Sequence, residues 1–149
     1  MSKNKVDYED RWEVLNKLKN NMGLFGRYCF PKALRREIPP FHHNIYAGLK
    51  NKSKNRILIA APRGTAKSTG CRLILPLYRT AYKKSDEDLF IVIISESQAQ
   101  SINFLSRIKY HLDHSDRFRQ IFMDLGAKTA RRWTTVSYTH LTLPTILRV

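Results

Sequence analysis

The sequence predicts an α/β fold, a parallel sheet with flanking helices, on three observations. RILIAAPRGTAKST, residues 56–69, reads as a short apolar strand, a tight Pro-Arg-Gly loop and the opening of a helix. LFIVII, residues 89–94, is an unbroken apolar run, the pattern of a strand covered on both faces in a parallel sheet. Helical periodicity follows each of these runs, so the order is strand, helix, strand, helix.

The elements follow in order. Between residues 6 and 22, Trp12, Leu15, Leu18 and Met22 recur at helical spacing among charges, which predicts one amphipathic helix. Gly23 and Gly26 are expected to loosen the chain before the aromatic cluster Phe25, Tyr28 and Phe30. Pro31, Pro39 and Pro40 bracket the basic, turn-rich KALRREIPP. A short helix is expected from His42 to about Leu49, then the polar loop NKSKN. The first strand spans residues 57–60, and a helix runs from Lys67 to about Tyr82, with Pro76 kinking it or ending its regular part. The acidic SDED, residues 85–88, reads as a solvated turn, because a metal-binding acid belongs at the C-terminal end of a strand and these precede theirs. Ser95 and Glu96 stand at that end instead. Ser95 or Ser97 caps the next helix, on which Ile102, Leu105, Ile108 and Leu112 share a face. Another short helix is expected from about Asp116 to Leu125, and residues 131–135 begin a third strand.

Composition narrows the class. The 149 residues suffice for one domain, with 42% hydrophobic residues to fill a core. A formal net charge of +15 favours a polyanionic partner, although the basic residues are scattered. Cys29 and Cys71, far apart, suggest neither a disulfide framework nor a metal site, so a reducing cytoplasm is expected. No apolar run approaches the roughly 20 residues of a membrane span. His42 and His43 are adjacent and cannot form an i, i+4 metal pair; they read as packing or surface histidines. No Ser/His/Asp or Cys/His constellation is visible.

The chemistry concentrates in residues 61–69. A loop between a strand and a helix turns backbone N–H groups and the helix N-terminus toward an anion. In the pattern G-x-x-x-x-G-K-[ST], the lysine reaches the β- and γ-phosphates and the hydroxyl sits on Mg²⁺. Here Ala61 and Ala66 hold the two glycine positions, and Gly64 is the glycine within the loop. Pro62, Arg63, Gly64, Thr65, Ala66, Lys67, Ser68 and Thr69 are therefore the expected ATP-binding residues, with Ser68 the Mg²⁺ ligand. Arg63 can reach a γ-phosphate and act as an arginine finger in cis.

From residue 18 to residue 133 the chain resembles the N-terminal ATPase part of a tailed-phage terminase large subunit. The resemblance lies in FGRYCFP, in PPFH before a helix, and in APRGTAKST where that family often has PRGxGKS. It continues through the strand leading into SESQAQ, the helix INFLSRIKYHL, and Trp133 ahead of the next strand. It implies a P-loop NTPase core that hydrolyses ATP to drive double-stranded DNA into a procapsid. It also implies an RNase H-like nuclease domain, a portal protein and a small terminase subunit as partners, homo-oligomerisation of the full-length protein, and residence in the bacterial host cytoplasm. Ala66 departs from the family's usual glycine, and its Cβ restricts the backbone there. A superfamily-two helicase, or a basic nucleic-acid-binding protein without ATPase activity, remains open beside this reading.

The closing stretch changes character. VSYTHLTLPT, residues 136–145, resembles the in-frame translation of a transposase-based sequencing adapter, all ten codons corresponding. Residues 136–149 are accordingly expected to be non-native and the chain an N-terminal fragment. Without that tail the net charge loses only Arg148, giving +14. The expected organisation is a helical and aromatic lead-in over 1–55, the start of an ATPase core over 56–135, and the tail.

Overall fold

A computed structural model describes residues 8–51, 53, 56–84, 89–123 and 145–148. The fold class differs from the expectation: these residues are mostly helical, and their two strands form an antiparallel ribbon rather than a parallel sheet. Residues 57–60, the expected first strand, join no ladder, and Leu58 is 95% exposed. The physical reason is that a strand exists by pairing. An apolar run without a neighbour for its N–H and C=O groups leaves them to water. The third strand at 131–135, Trp133, the SDED turn and residues 136–144 lie outside the described residues.

The lead-in forms three helices: α1 (Tyr8–Asn20), α2 (Met22–Cys29) and α3 (Pro40–Lys50). The single helix expected up to Met22 is broken at Asn21, whose extended backbone and side-chain oxygen, 2.9 Å from the Leu24 N–H, start a new one. On α1 the buried row is Leu15 and Leu18, while Trp12 is exposed. Arg11 takes the place expected for Trp12, its guanidinium donating to the carbonyls of Gln120 and Ile121, each at 2.8 Å. Gly23 and Gly26 do not loosen the chain. Both are buried inside α2, where a Cβ would stand 2.7 Å from Ile38 Cδ1 and 2.6 Å from Leu34 Cδ1. They let neighbouring segments approach the helix closely.

Residues 67–81 run as one helical rod of three parts: α4 (Lys67–Thr69), a π-helical turn π1 (Gly70–Ile74) and α5 (Leu75–Ala81). Pro76 does not end it. A proline ring clashes with the carbonyl four residues back in a regular helix, and the wider turn just upstream accommodates it, the Leu75 N–H bonding five residues back to Gly70 O. β1 (Phe90–Ile93) follows, then α6 (Gln98–His114), capped by Ser97. A short α7 (Asp116–Phe118) passes into a second π turn, π2 (Arg119–Met123). β2 (Thr145–Arg148) pairs with β1, placing Phe90 opposite Arg148 and Ile93 opposite Thr145.

β1 is not covered on both faces. Phe90 and Val92 are exposed, Ile93 is buried, and the adjoining Ile94 is exposed. On α6 the inward row is Ser101, Leu105, Ile108 and Leu112; Ile102 lies off it, 38% exposed. The core is an aromatic cluster centred on the fully buried Phe25. Its ring lies 5.3 to 6.4 Å from those of Tyr78, Phe30, Phe122, Tyr82 and Phe118, mostly edge to face. Such pairs add roughly 0.5–1.5 kcal/mol each beyond area burial, so α2, α5 and α7–π2 are held to one another. Among the described residues no helix is long and apolar enough to cross a membrane.

Candidate functional site

The loop at residues 61–66 joins the extended residues 56–60 to α4. Two residues in the left-handed region shape it: Gly64 at φ 81° and Ala66 at φ 52°. Glycine enters that region freely, whereas an alanine there carries strain of roughly 1–2 kcal/mol. The tight curl therefore forms at the position where the motif has glycine, although the residue is alanine.

Inside the curl the Pro62 carbonyl accepts two bonds. Thr65 Oγ1 donates to it at 2.8 Å and Lys67 Nζ at 2.9 Å. Lys67 thus folds back over the loop it follows. Ala66 has no side chain to cap the helix, so the N–H groups of the first turn keep their donors for another acceptor. Arg63, Gly64 and Ser68 are exposed, and Thr69 is half-buried. Every expected ATP-binding residue, Pro62 through Thr69, thus belongs to one continuous loop and helix start.

One residue of the site lies outside the contiguous motif. His42, on α3, is buried and places Nε2 2.5 Å from the Thr65 carbonyl oxygen. Its ring packs against Phe41 and Tyr46, with centroids 4.4 and 5.6 Å apart. Tyr46 in turn lies against Gly70, where a Cβ would come within 2.9 Å of the ring. α3 therefore braces both the loop and the rod behind it. The signal was in plain view as PPFH, but nothing in its spacing connects it to a loop 23 residues away.

A cavity of about 360 Å³ opens beside the curl, bounded by Arg35, Arg36, Pro39, Phe41 and His42 on one side and by Gly64–Ala66 on the other. That volume falls in the range of small-molecule sites. At the end of β1, Ser95 bonds to Ser101 Oγ at 2.8 Å and to the Ser97 carbonyl at 3.1 Å. Ser95 therefore fastens the start of α6, and Glu96 beside it is exposed. Among the described residues no group of three or more His, Cys, Asp and Glu could hold a metal ion. A Mg²⁺ here would be carried largely by phosphate and water oxygens, its usual partners.

No protein-family model matches the chain, and no curated protein or solved structure matches it either.

Proposed function

We propose that residues 62–69 hold the triphosphate of Mg-ATP, in the ATP-binding part of a DNA-packaging ATPase of the kind the sequence resembles. The observation that carries this reading is Lys67, whose ammonium lies across a curled loop on a neutral carbonyl, at the start of a helix without a side-chain cap. A cation at the positive end of a helix is unfavourable by itself, and an anion shared by the lysine and the helix N–H groups removes the penalty. A phosphate oxygen is also the stronger acceptor, since bonds between charged groups are roughly twice as strong as neutral ones. Lys67 accordingly exchanges the Pro62 carbonyl for the β- and γ-phosphates when nucleotide enters.

The neighbouring residues fit the rest of the ligand. Ser68, exposed in the first helical turn, supplies a hydroxyl to Mg²⁺, and the metal neutralises phosphate charge. Arg63, exposed on the loop, meets the γ-phosphate from the solvent side. The adjoining cavity takes the nucleoside. Double-stranded DNA, a portal protein, a small terminase subunit and self-assembly of the full-length protein belong to the same proposal, and the +15 charge supports the polyanion among them.

Titration calorimetry with MgATP tests the reading. The wild-type chain binds, and Lys67→Ala loses about tenfold or more in affinity, the scale of one hydrogen bond to a charged group. Unchanged affinity in that variant removes the loop from the site.

A further inference from the structure

We infer that His42 is a positioning residue, which through the Thr65 carbonyl turns the Ala66 N–H away from α3, so that this donor is held out for a phosphate. The inference rests on the reading of residues 62–69 as a phosphate loop. A carbonyl oxygen only accepts, so His42 Nε2 carries the proton in the 2.5 Å contact. The bond is half-buried, His42 itself is 5% exposed, and the Phe41 and Tyr46 rings fix the imidazole's direction.

The consequence follows from the peptide unit. Thr65 C=O and Ala66 N–H belong to one planar trans unit and point in opposite directions. Holding the carbonyl against α3 therefore directs the Ala66 N–H away from α3. Thr65 is anchored a second time through its hydroxyl on Pro62 O. The unit lies between left-handed Gly64 and left-handed Ala66. Rotating it by half a turn would take Ala66 out of its strained conformation and carry the donor to the wrong side. His42 opposes that rotation, so the restraint on the loop comes from a different helix and not from the loop's own sequence.

Two substitutions in the full chain separate this role from packing. His42→Leu fills much of the ring's space without a donor, whereas His42→Gln places an amide N–H near the position of Nε2. Two readouts apply: tryptic cleavage after Arg63 under native conditions, followed by mass spectrometry, and MgATP affinity. Losing this half-buried bond is expected to speed cleavage about fivefold in His42→Leu and weaken MgATP by a similar factor, while His42→Gln stays near wild type in both. If the leucine variant does not fold by circular dichroism, His42→Asn replaces it, with an amide too short to reach Thr65. Wild-type cleavage in a folded donor-less variant, or equal damage in the glutamine variant, overturns the inference. A wild-type chain that binds no MgATP overturns the ATP reading alone, and the cleavage rates still decide whether His42 holds the loop.

Discussion

Ala66 and Cys29 show how much the setting of a single residue decides. At Ala66 the left-handed backbone carries strain that glycine would not, and the loop still closes there because Thr65 and Lys67 both bond to Pro62 O. Three bonds around the curl, counting the one from His42, each contribute about 0.5–1.5 kcal/mol, enough to offset one strained residue. At Cys29 burial pushes the thiol up from 9.0 to about 12, opposed by the nearby Arg117 guanidinium. The unfolded chain releases that proton near pH 9 and the folded chain keeps it, so rising pH favours unfolding. The stability at stake is complete below pH 9 and is lost between pH 9 and 12. The urea midpoint is therefore expected to fall between pH 8 and pH 10, and to fall less in Cys29→Ala. Parallel declines in the two proteins would show that another group governs alkaline stability.

At the scale of elements, α2, α6 and α7 begin where a side chain accepts an orphan N–H, and α7 is joined to α2 where such a side chain has a second task. Ser97 caps α6 by accepting from the Gln100 N–H at 3.3 Å. Ser115 caps α7 by accepting from Phe118 at 3.4 Å, and its hydroxyl also donates to the Cys29 carbonyl at the end of α2, at 2.5 Å. Removing a cap costs about 1 kcal/mol. Removing Ser115 additionally leaves the half-buried Cys29 carbonyl without that donor, so Ser115→Ala should cost about 2 kcal/mol against about 1 kcal/mol for Ser97→Ala. Urea denaturation of the two variants measures the difference; equal losses would mean that the link between α2 and α7 contributes nothing. The capping serine of α6 was legible in the sequence because capping is local. The double role of Ser115 was not, since Cys29 lies 86 residues away.

For the whole molecule, the helices bury one another around Phe25 and leave much of the extended apolar segments outside, with Ile93 as the residue of β1 that enters the core. Ile57, Leu58, Phe90, Val92 and Ile94 are all exposed, and exposed apolar strand segments invite pairing with other chains. β1 has one edge taken by Thr145–Arg148, within the stretch expected to be foreign. Backbone pairing makes few demands on sequence, so such an edge accepts an extended neighbour of many compositions. Leu58, 95% exposed, buries almost no apolar surface in the fold and presents its side chain to other chains. Leu58→Lys is expected to lower light scattering at high protein concentration while changing the unfolding free energy by no more than about 0.5 kcal/mol. Undiminished scattering would place the sticky surface elsewhere.

The sequence by itself determined the features that depend on near neighbours. These are the helix expected from His42 to about Leu49 and found at Pro40–Lys50, the rod beginning at Lys67, a serine cap on α6 with Leu105, Ile108 and Leu112 facing inward, and the loop that gathers Pro62 through Thr69. Each follows from periodicity, capping chemistry or a contiguous motif, and each is set within a few residues. Tertiary structure alone decided whether the apolar runs at 57–60 and 89–94 would become a parallel sheet, and they did not. Apolar composition makes a strand possible, but its pairing is a relation between distant segments. Tertiary structure also brought His42 against Thr65 and Arg11 against the carbonyls of Gln120 and Ile121 in π2. Those contacts close loops of many residues, and no local pattern in the chain encodes where their far ends meet.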